Sequence, residues 1–227
     1  MSMGHMGWLA AGFVGLCALP VAGNAHEAGD FIFRAGVAYV NPNDDSGSIK
    51  SNGTDVGLGS SPVKVDSATS LGLTFAYMFT DNIAVEVLGA WPFKHDLKGN
   101  DGLDGVSIGS IKQLPPTVTA QYHFRPKADF QPYVGVGVNY TYFFDEDADG
   151  ELEGLVGKTN LSLDNSWGLA GQVGADYALK DGWMLNAALW YIDINTTAKL
   201  KTAGAGNLKV DVDVDPWVFM VGVGKSF

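Results

Sequence analysis

Apolar residues in this chain alternate rather than cluster. From position 217 onward, one parity reads Trp217, Phe219, Val221, Val223, Lys225 and Phe227, and the other Val218, Met220, Gly222, Gly224 and Ser226. Successive side chains leave opposite faces of a pleated strand, so this period of two predicts a strand with one bulky apolar face and one small face. Seven earlier segments carry the same signature, at residues 30–40, 67–80, 83–91, 112–124, 131–143, 166–178 and 183–195, and 210–227 is the eighth. In the fifth, Val134, Val136, Val138, Tyr140 and Tyr142 oppose Gly135, Gly137, Asn139 and Thr141. In the third, Ile83, Val85 and Val87 oppose Ala84, Glu86 and Leu88; in the seventh, Trp183, Leu185, Leu189 and Tyr191 oppose Asn186, Ala188 and Trp190. The expected fold class is all-β.

The connections sort by length. Residues 81–82, 125–130 and 179–182 are short and rich in Asp, Asn, Pro and Gly, as tight turns require. Residues 41–66, 92–111, 145–165 and 196–209 are long. Short turns at one end and long loops at the other characterise an outer-membrane barrel, with the turns in the periplasm and the loops outside. An even strand count returns both termini to the short-turn end. Aromatics gather near segment ends (Phe31, Phe79, Trp91, Tyr122, Phe124, Tyr142, Phe143, Trp167, Tyr177, Trp183, Tyr191 and Trp217), as two interfacial girdles would. The prediction is an eight-stranded antiparallel transmembrane β-barrel with short periplasmic turns and long extracellular loops.

Composition narrows the reading. Apolar residues make up 46% of the chain and glycine 30 of 227 residues, yet no run after the N-terminus is long enough for a membrane-spanning helix. The first 25 residues contain an apolar stretch from Trp8 to Leu19, a break at Pro20 and small residues before His26, which predicts a signal peptide cleaved after Ala25. It departs from the usual pattern in having no Lys or Arg before Arg34. Residues 26–227 then form one barrel domain in the cell outer membrane. The single cysteine, Cys17, falls inside the leader, so the mature chain has no thiol or disulfide. A net charge of −11 argues against nucleic acid as a partner.

Few residues suggest chemistry. Asp145, Asp147, Asp149 and Gly150 begin like a calcium loop, but its twelfth position is Val156 where a bidentate Glu is needed. Asp211, Asp213 and Asp215 share one parity and read as a solvated rim. His123, between inward Gln121 and the following turn, reads as a wet lumen residue. No hydrolase, metalloprotease or phosphate-loop motif is present, so neither an enzyme, a metal nor a cofactor is expected. Leu88 and Trp190 are large inward residues in an interior that eight strands leave just wide enough for side chains or one small ligand. Pro92, Pro115 and Pro116 lack N–H donors, so pairing between the third and fourth strands should be weak there. Phe227 places an aromatic at the end of the last strand, which suits a signal for the outer-membrane assembly machinery.

Several segments together resemble the outer-membrane protein W (OmpW) family: H-E-A-G-D-F-I-F-R-A-G from His26, L-G-L-T-F-A-Y-M-F-T-D-N-I-A-V-E from Leu71, W-P-F-K-H from Trp91, L-P-P-T-V-T-A-Q-Y-H-F from Leu114, P-Y-V-G-V-G-V-N-Y-T-Y-F-F-D from Pro132, S-W-G-L-A-G-Q-V-G-A-D-Y from Ser166, W-Y-I-D-I-N-T-T-A from Trp190 and V-D-P-W-V-F-M from Val214. They span nearly all of residues 26–227 in order; the loops depart most. The resemblance implies passive uptake of small hydrophobic molecules through an apolar lumen, with lateral release into the bilayer. It also implies that Leu88 and Trp190 narrow the channel floor. The prolines at 92, 115 and 116 are the candidates for the lateral opening. Membrane lipids and lipopolysaccharide are the expected surroundings. The alternative is a closed structural or surface-interaction barrel, serving envelope integrity or as a phage or toxin receptor.

Overall fold

The computed structural model describes residues 26–227; the signal peptide assigned to 1–25 lies outside the described residues. Eight strands form the barrel: β1 (Phe31–Asn41), β2 (Ala68–Met78), β3 (Ile83–Ala90), β4 (Thr117–His123), β5 (Phe130–Ala148), β6 (Ser166–Ala178), β7 (Trp183–Ile192) and β8 (Trp217–Ser226). Each pairs antiparallel with the next, and β8 returns to β1 in a continuous register from Ile32↔Ser226 to Asn41↔Trp217. Closure satisfies the backbone groups that an open edge would leave bare in hydrocarbon. At the terminus Phe31 N donates to Phe227 O at 3.1 Å, and Phe227 N to Phe31 O at 2.9 Å.

Alternation sets the two faces as expected. Val136 is 72% exposed and Leu169 69%, while the intervening inward residues are small or buried. Exposed aromatics form two belts. Phe31, Phe79, Tyr122, Phe124 and Trp183 lie at the short-turn end, and Trp91, Tyr142, Trp167, Tyr191 and Trp217 at the other. Phe143 leaves the expected belt: it is buried on the inward parity of β5.

The long connections lie at the end opposite the short turns, and much of their length continues the wall outward as β-structure. Phe93–Gly99 pairs with Ser107–Leu114, and Asn195–Thr202 with Gly206–Asp213. Thr159–Leu163 joins the second hairpin, and the short helix α1 (Gly150–Val156) crosses near the first. Two expected strands are therefore broken. The fourth divides at Pro115-Pro116, where two donors are missing. The eighth divides at residues 214–216, where Asp215 takes a positive φ of 35° ahead of Pro216.

Candidate functional site

The inward residues of each strand follow one sequence from the short-turn end outward. On β1 they are Ile32, Arg34, then Ala38 and Val40; on β3, Ala84, Glu86 and Leu88; on β7, Met184, Asn186, Ala188 and Trp190. Ile32, Ala76, Met78, Ala84 and Met184 make a small apolar cluster at the periplasmic end. A layer of polar groups follows. A second apolar cluster begins at Ala38, Leu88 and Trp190 and continues up into the hairpins.

The polar layer is a connected floor. Arg34 donates from Nε to Asp176 Oδ1 at 3.0 Å and from Nη1 to Glu86 Oε2 at 2.8 Å, and it also binds Asp176 Oδ2. All three residues are fully buried. Glu86 Oε1 accepts from Gln172 Nε2 at 2.8 Å, and Gln172 Oε1 accepts from Gln121 Nε2 at 2.9 Å and Thr119 Oγ1 at 3.0 Å. Asn186 donates to Asp176 Oδ1 at 2.8 Å and to the Tyr133 hydroxyl at 3.0 Å. The Arg34 guanidinium lies 5.2 Å from the Tyr133 ring centre, and Gly174 leaves room for that ring: a Cβ there would come within 2.5 Å of it. Buried charge is tolerated only when paired and hydrogen-bonded, and this network meets that condition for every charged atom named. His123 is not a wet residue of an open lumen. It is buried, stacked 4.9 Å from Tyr133, with Nε2 3.1 Å from Gln121 Oε1.

Above the floor the lumen becomes a funnel. A cavity of about 240 Å³ is lined only by apolar residues, among them Leu97, Ile108, Leu161, Leu200, Leu208 and Val210. A smaller space below it reaches Phe143, Ile111 and Val214. Leu88 and Trp190 belong to the same apolar cluster; both are buried, and the Trp190 indole N–H has no partner. Leu88 is one inward position beyond Glu86, and Trp190 two beyond Asn186, so both stand where the funnel meets the floor.

The three prolines flank a gap in the wall. Pairing of β3 with β4 ends at Leu88↔Thr117 and resumes only at Phe93↔Gln113. Residues 89–92 and 114–116 have no ladder partners in one another, although each keeps its other neighbour: Trp91 N donates to Leu71 O, and Tyr140 N to Pro116 O. The space beside Gly89 is open: a Cβ there would meet nothing within 4 Å. The Thr117 hydroxyl binds Pro115 O at 3.0 Å, which occupies one of the freed carbonyls.

The acidic motifs find ordinary partners. Asp149 caps α1 by accepting from Glu151 N at 2.9 Å, and Asp145 pairs with Lys112 at 2.9 Å. Asp215 accepts from Ile194 N at 3.1 Å, and Asp211 from the Thr197 hydroxyl at 2.8 Å. Partial burial, then the neighbours Asp215, Asp45, Asp193 and Asp211, raise the Asp213 carboxyl above its ordinary range. Phe227 is 70% exposed beside Lys225, whose ammonium lies 5.4 Å from its ring centre.

Sequence reasoning placed Leu88, Trp190 and the prolines but missed the floor as a unit. Its signal was present: Arg34, Glu86 and Asp176 are charged residues on the small, inward parity of three different strands.

Comparison with known proteins agrees with this architecture. The model of the OmpW family matches residues 27–227. Outer membrane protein W of Vibrio cholerae is 49% identical over 206 residues, covering 89% of this chain and 91% of that protein. The crystal structure of the outer membrane protein OprG from Pseudomonas aeruginosa superposes with a TM-score of 0.83 at 46% identity, covering 92% of this chain and 99% of that one. The solid-state NMR structure of outer membrane protein AlkL in lipid bilayers gives 0.64 at 25% identity, covering 93% of this chain and 96% of that one. With its closed eight-stranded wall in the outer-membrane bilayer, this chain belongs to the OmpW family.

Proposed function

We propose that this barrel passively admits small hydrophobic molecules from outside the cell and releases them sideways into the bilayer. The observation that carries the reading is the funnel cavity with its wholly apolar lining, above a floor sealed by Arg34, Glu86 and Asp176. An apolar solute enters between the outer hairpins and displaces water from the funnel. Leu88 and Trp190 narrow its path, and the charged floor blocks passage to the periplasm. The interrupted ladder between Leu88↔Thr117 and Phe93↔Gln113 offers an exit. Each CH₂ moved from water into hydrocarbon contributes roughly 0.8 kcal/mol, so transfer needs no energy source. The chain acts by passage rather than catalysis. Its outer hairpins meet lipopolysaccharide, and Phe227 is read by the assembly machinery after cleavage behind Ala25 leaves His26 as the first residue.

The sealed floor also favours a second reading, a closed barrel that acts only through its surface. One experiment separates the two. Replacing Pro115 by Val and Pro116 by Thr restores a donor at each position and lets the β3–β4 ladder close. Uptake of a labelled alkane by cells carrying normal amounts of folded barrel should fall severalfold. If it proceeds at the native rate, lateral release through this gap is wrong. If cells lacking the barrel take up alkane equally well, the surface reading replaces transport.

A further inference from the structure

We infer that the periplasmic floor holds a late first-row divalent metal ion, bound by His26 and His123 with Asp176 as the orienting carboxylate. One ring nitrogen of each histidine and one carboxylate oxygen of Asp176 lie within 4.8 Å of one another, and all three side chains are buried.

The hydrogen bonds assign the free lone pairs. Gln121 donates its amide nitrogen to Gln172, so its oxygen faces His123 Nε2 and accepts from it. His26 Nε2 lies 3.4 Å from Asp176 Oδ2, which can only accept. Both imidazoles therefore carry their proton on Nε2 and a bare lone pair on Nδ1. Neither Nδ1 has a hydrogen-bond partner, although both are buried. A buried acceptor without a donor is destabilising, and here two occur on adjacent rings. Histidine that ligates a metal through one nitrogen characteristically donates from the other to a carboxylate or carbonyl, and both rings already do so.

The spacing suits one ion. With metal–nitrogen bonds of about 2.0–2.1 Å, two imidazoles on a tetrahedral ion hold their ring centres roughly 5–6 Å apart. The rings of His26 and His123 are 5.4 Å apart. Charge suits it as well. The two carboxylates of the floor face one guanidinium, Arg34, so the neighbourhood carries one excess negative charge.

A third donor follows from the cleavage proposed above, on which this part rests. Once His26 is the first residue, its backbone nitrogen is an amine. That nitrogen and Nδ1 of the same residue close a six-membered chelate on one ion. His26 N donates to Pro126 O at 2.9 Å, which uses one hydrogen and leaves a neutral amine its lone pair. Two imidazoles and an amine form a nitrogen-rich set that suits Cu²⁺ and Zn²⁺ over Mg²⁺ or Ca²⁺. The ion would fasten the N-terminus across the periplasmic mouth.

The test uses tag-free mature barrel, folded in detergent, with Cu²⁺ as the probe. Mass spectrometry of protein taken from outer membranes should show His26 as the first residue; a chain that begins elsewhere overturns the amine donor. One equivalent of Cu²⁺ should bind with nitrogen hyperfine structure in its electron paramagnetic resonance spectrum. His123→Ala should weaken binding at least tenfold, and one extra glycine before His26, which leaves the barrel wall untouched, should do the same. His95→Asn should bind as the native chain does, because both ring nitrogens of His95 already have partners. Absence of stoichiometric binding to the folded barrel overturns the site. So does equal affinity in the native, His123→Ala and glycine-extended proteins.

Discussion

Above Leu88 and Trp190 the lumen is lined by leucine, isoleucine and valine around a cavity; below them it is packed with Arg34, Glu86, Asp176 and three amide side chains. The eight strands build the floor, whereas the cavity is lined from the hairpins and connections that continue the wall outward. Inward positions near the outside are free to stay apolar, because nothing there needs to hold the barrel shut. Inward positions at the floor carry buried ion pairs that fix one arrangement. The funnel is therefore cheap to alter and the floor is not.

Removing one partner from the floor should have the largest effect. Arg34→Ala leaves Glu86 and Asp176 buried without their cation, and a broken buried pair costs about 3–5 kcal/mol. Urea unfolding of the folded barrel, followed by its heat-modifiable migration, measures this. A loss below about 1 kcal/mol, within the usual range of surface substitutions and exposed ion pairs, would mean that the floor is not what holds the lumen shut. The barrel strands around the floor face lipid, whereas the hairpins around the cavity stand beyond it. Val136→Lys should cost about 2–4 kcal/mol at mid-membrane, against under about 0.5 kcal/mol for Asn207→Lys on an outer hairpin. Gly137, the inward neighbour of Val136, is no neutral control, since a Cβ there would collide with the Val118 carbonyl oxygen.

In the funnel, Leu200→Ala should cost about 2 kcal/mol, the low end for such truncations. Its side chain already borders an open cavity, so the new space adds to old space rather than interrupting a packed core. The folded variant should admit bulkier alkanes than the native barrel. A cost as large as that of Arg34→Ala would erase the distinction between the two regions.

The wall was legible because period-two alternation is a local property: the inward parity of Leu88 and Trp190 can be counted along one strand. The break at Pro115-Pro116 was legible because proline lacks a donor whatever its surroundings. The floor was not, because its pairs join residues 52 and 142 positions apart, and only barrel closure brings Arg34 to Glu86 and Asp176. The outer hairpin was missed for another reason. Thr196, Ala198 and Leu200 oppose Leu208, Val210 and Val212 with clear alternation, but their partners lie beyond the membrane, where the length of the connection suggested a loop.

The smallest expected effect concerns the histidine of the funnel wall. His95 is buried on Phe93–Gly99, with Nδ1 2.7 Å from Asp66 O and Nε2 2.9 Å from Gln113 Nε2. The carbonyl fixes the proton on Nδ1, and the amide group of Gln113 donates to Nε2. A second proton would therefore confront a donor. Burial holds His95 below its ordinary pKa, with the Asp66 carbonyl and the charges of Asp96 and Asp66 partly opposing. In the unfolded chain the imidazole protonates near pH 6.5. Between that value and the lower folded one, the unfolded state binds more protons, so stability is full above about pH 6.5 and falls as the pH drops. One group limits the slope to about 1.4 kcal/mol per pH unit. The measurement is a difference that isolates this one group: unfolding midpoints of the native and His95→Asn proteins from pH 7.5 to 5. The native curve should fall more steeply, and the gap between the two should stop changing once His95 is protonated in both states. Parallel curves would show that the protonation of His95 does not matter to the fold.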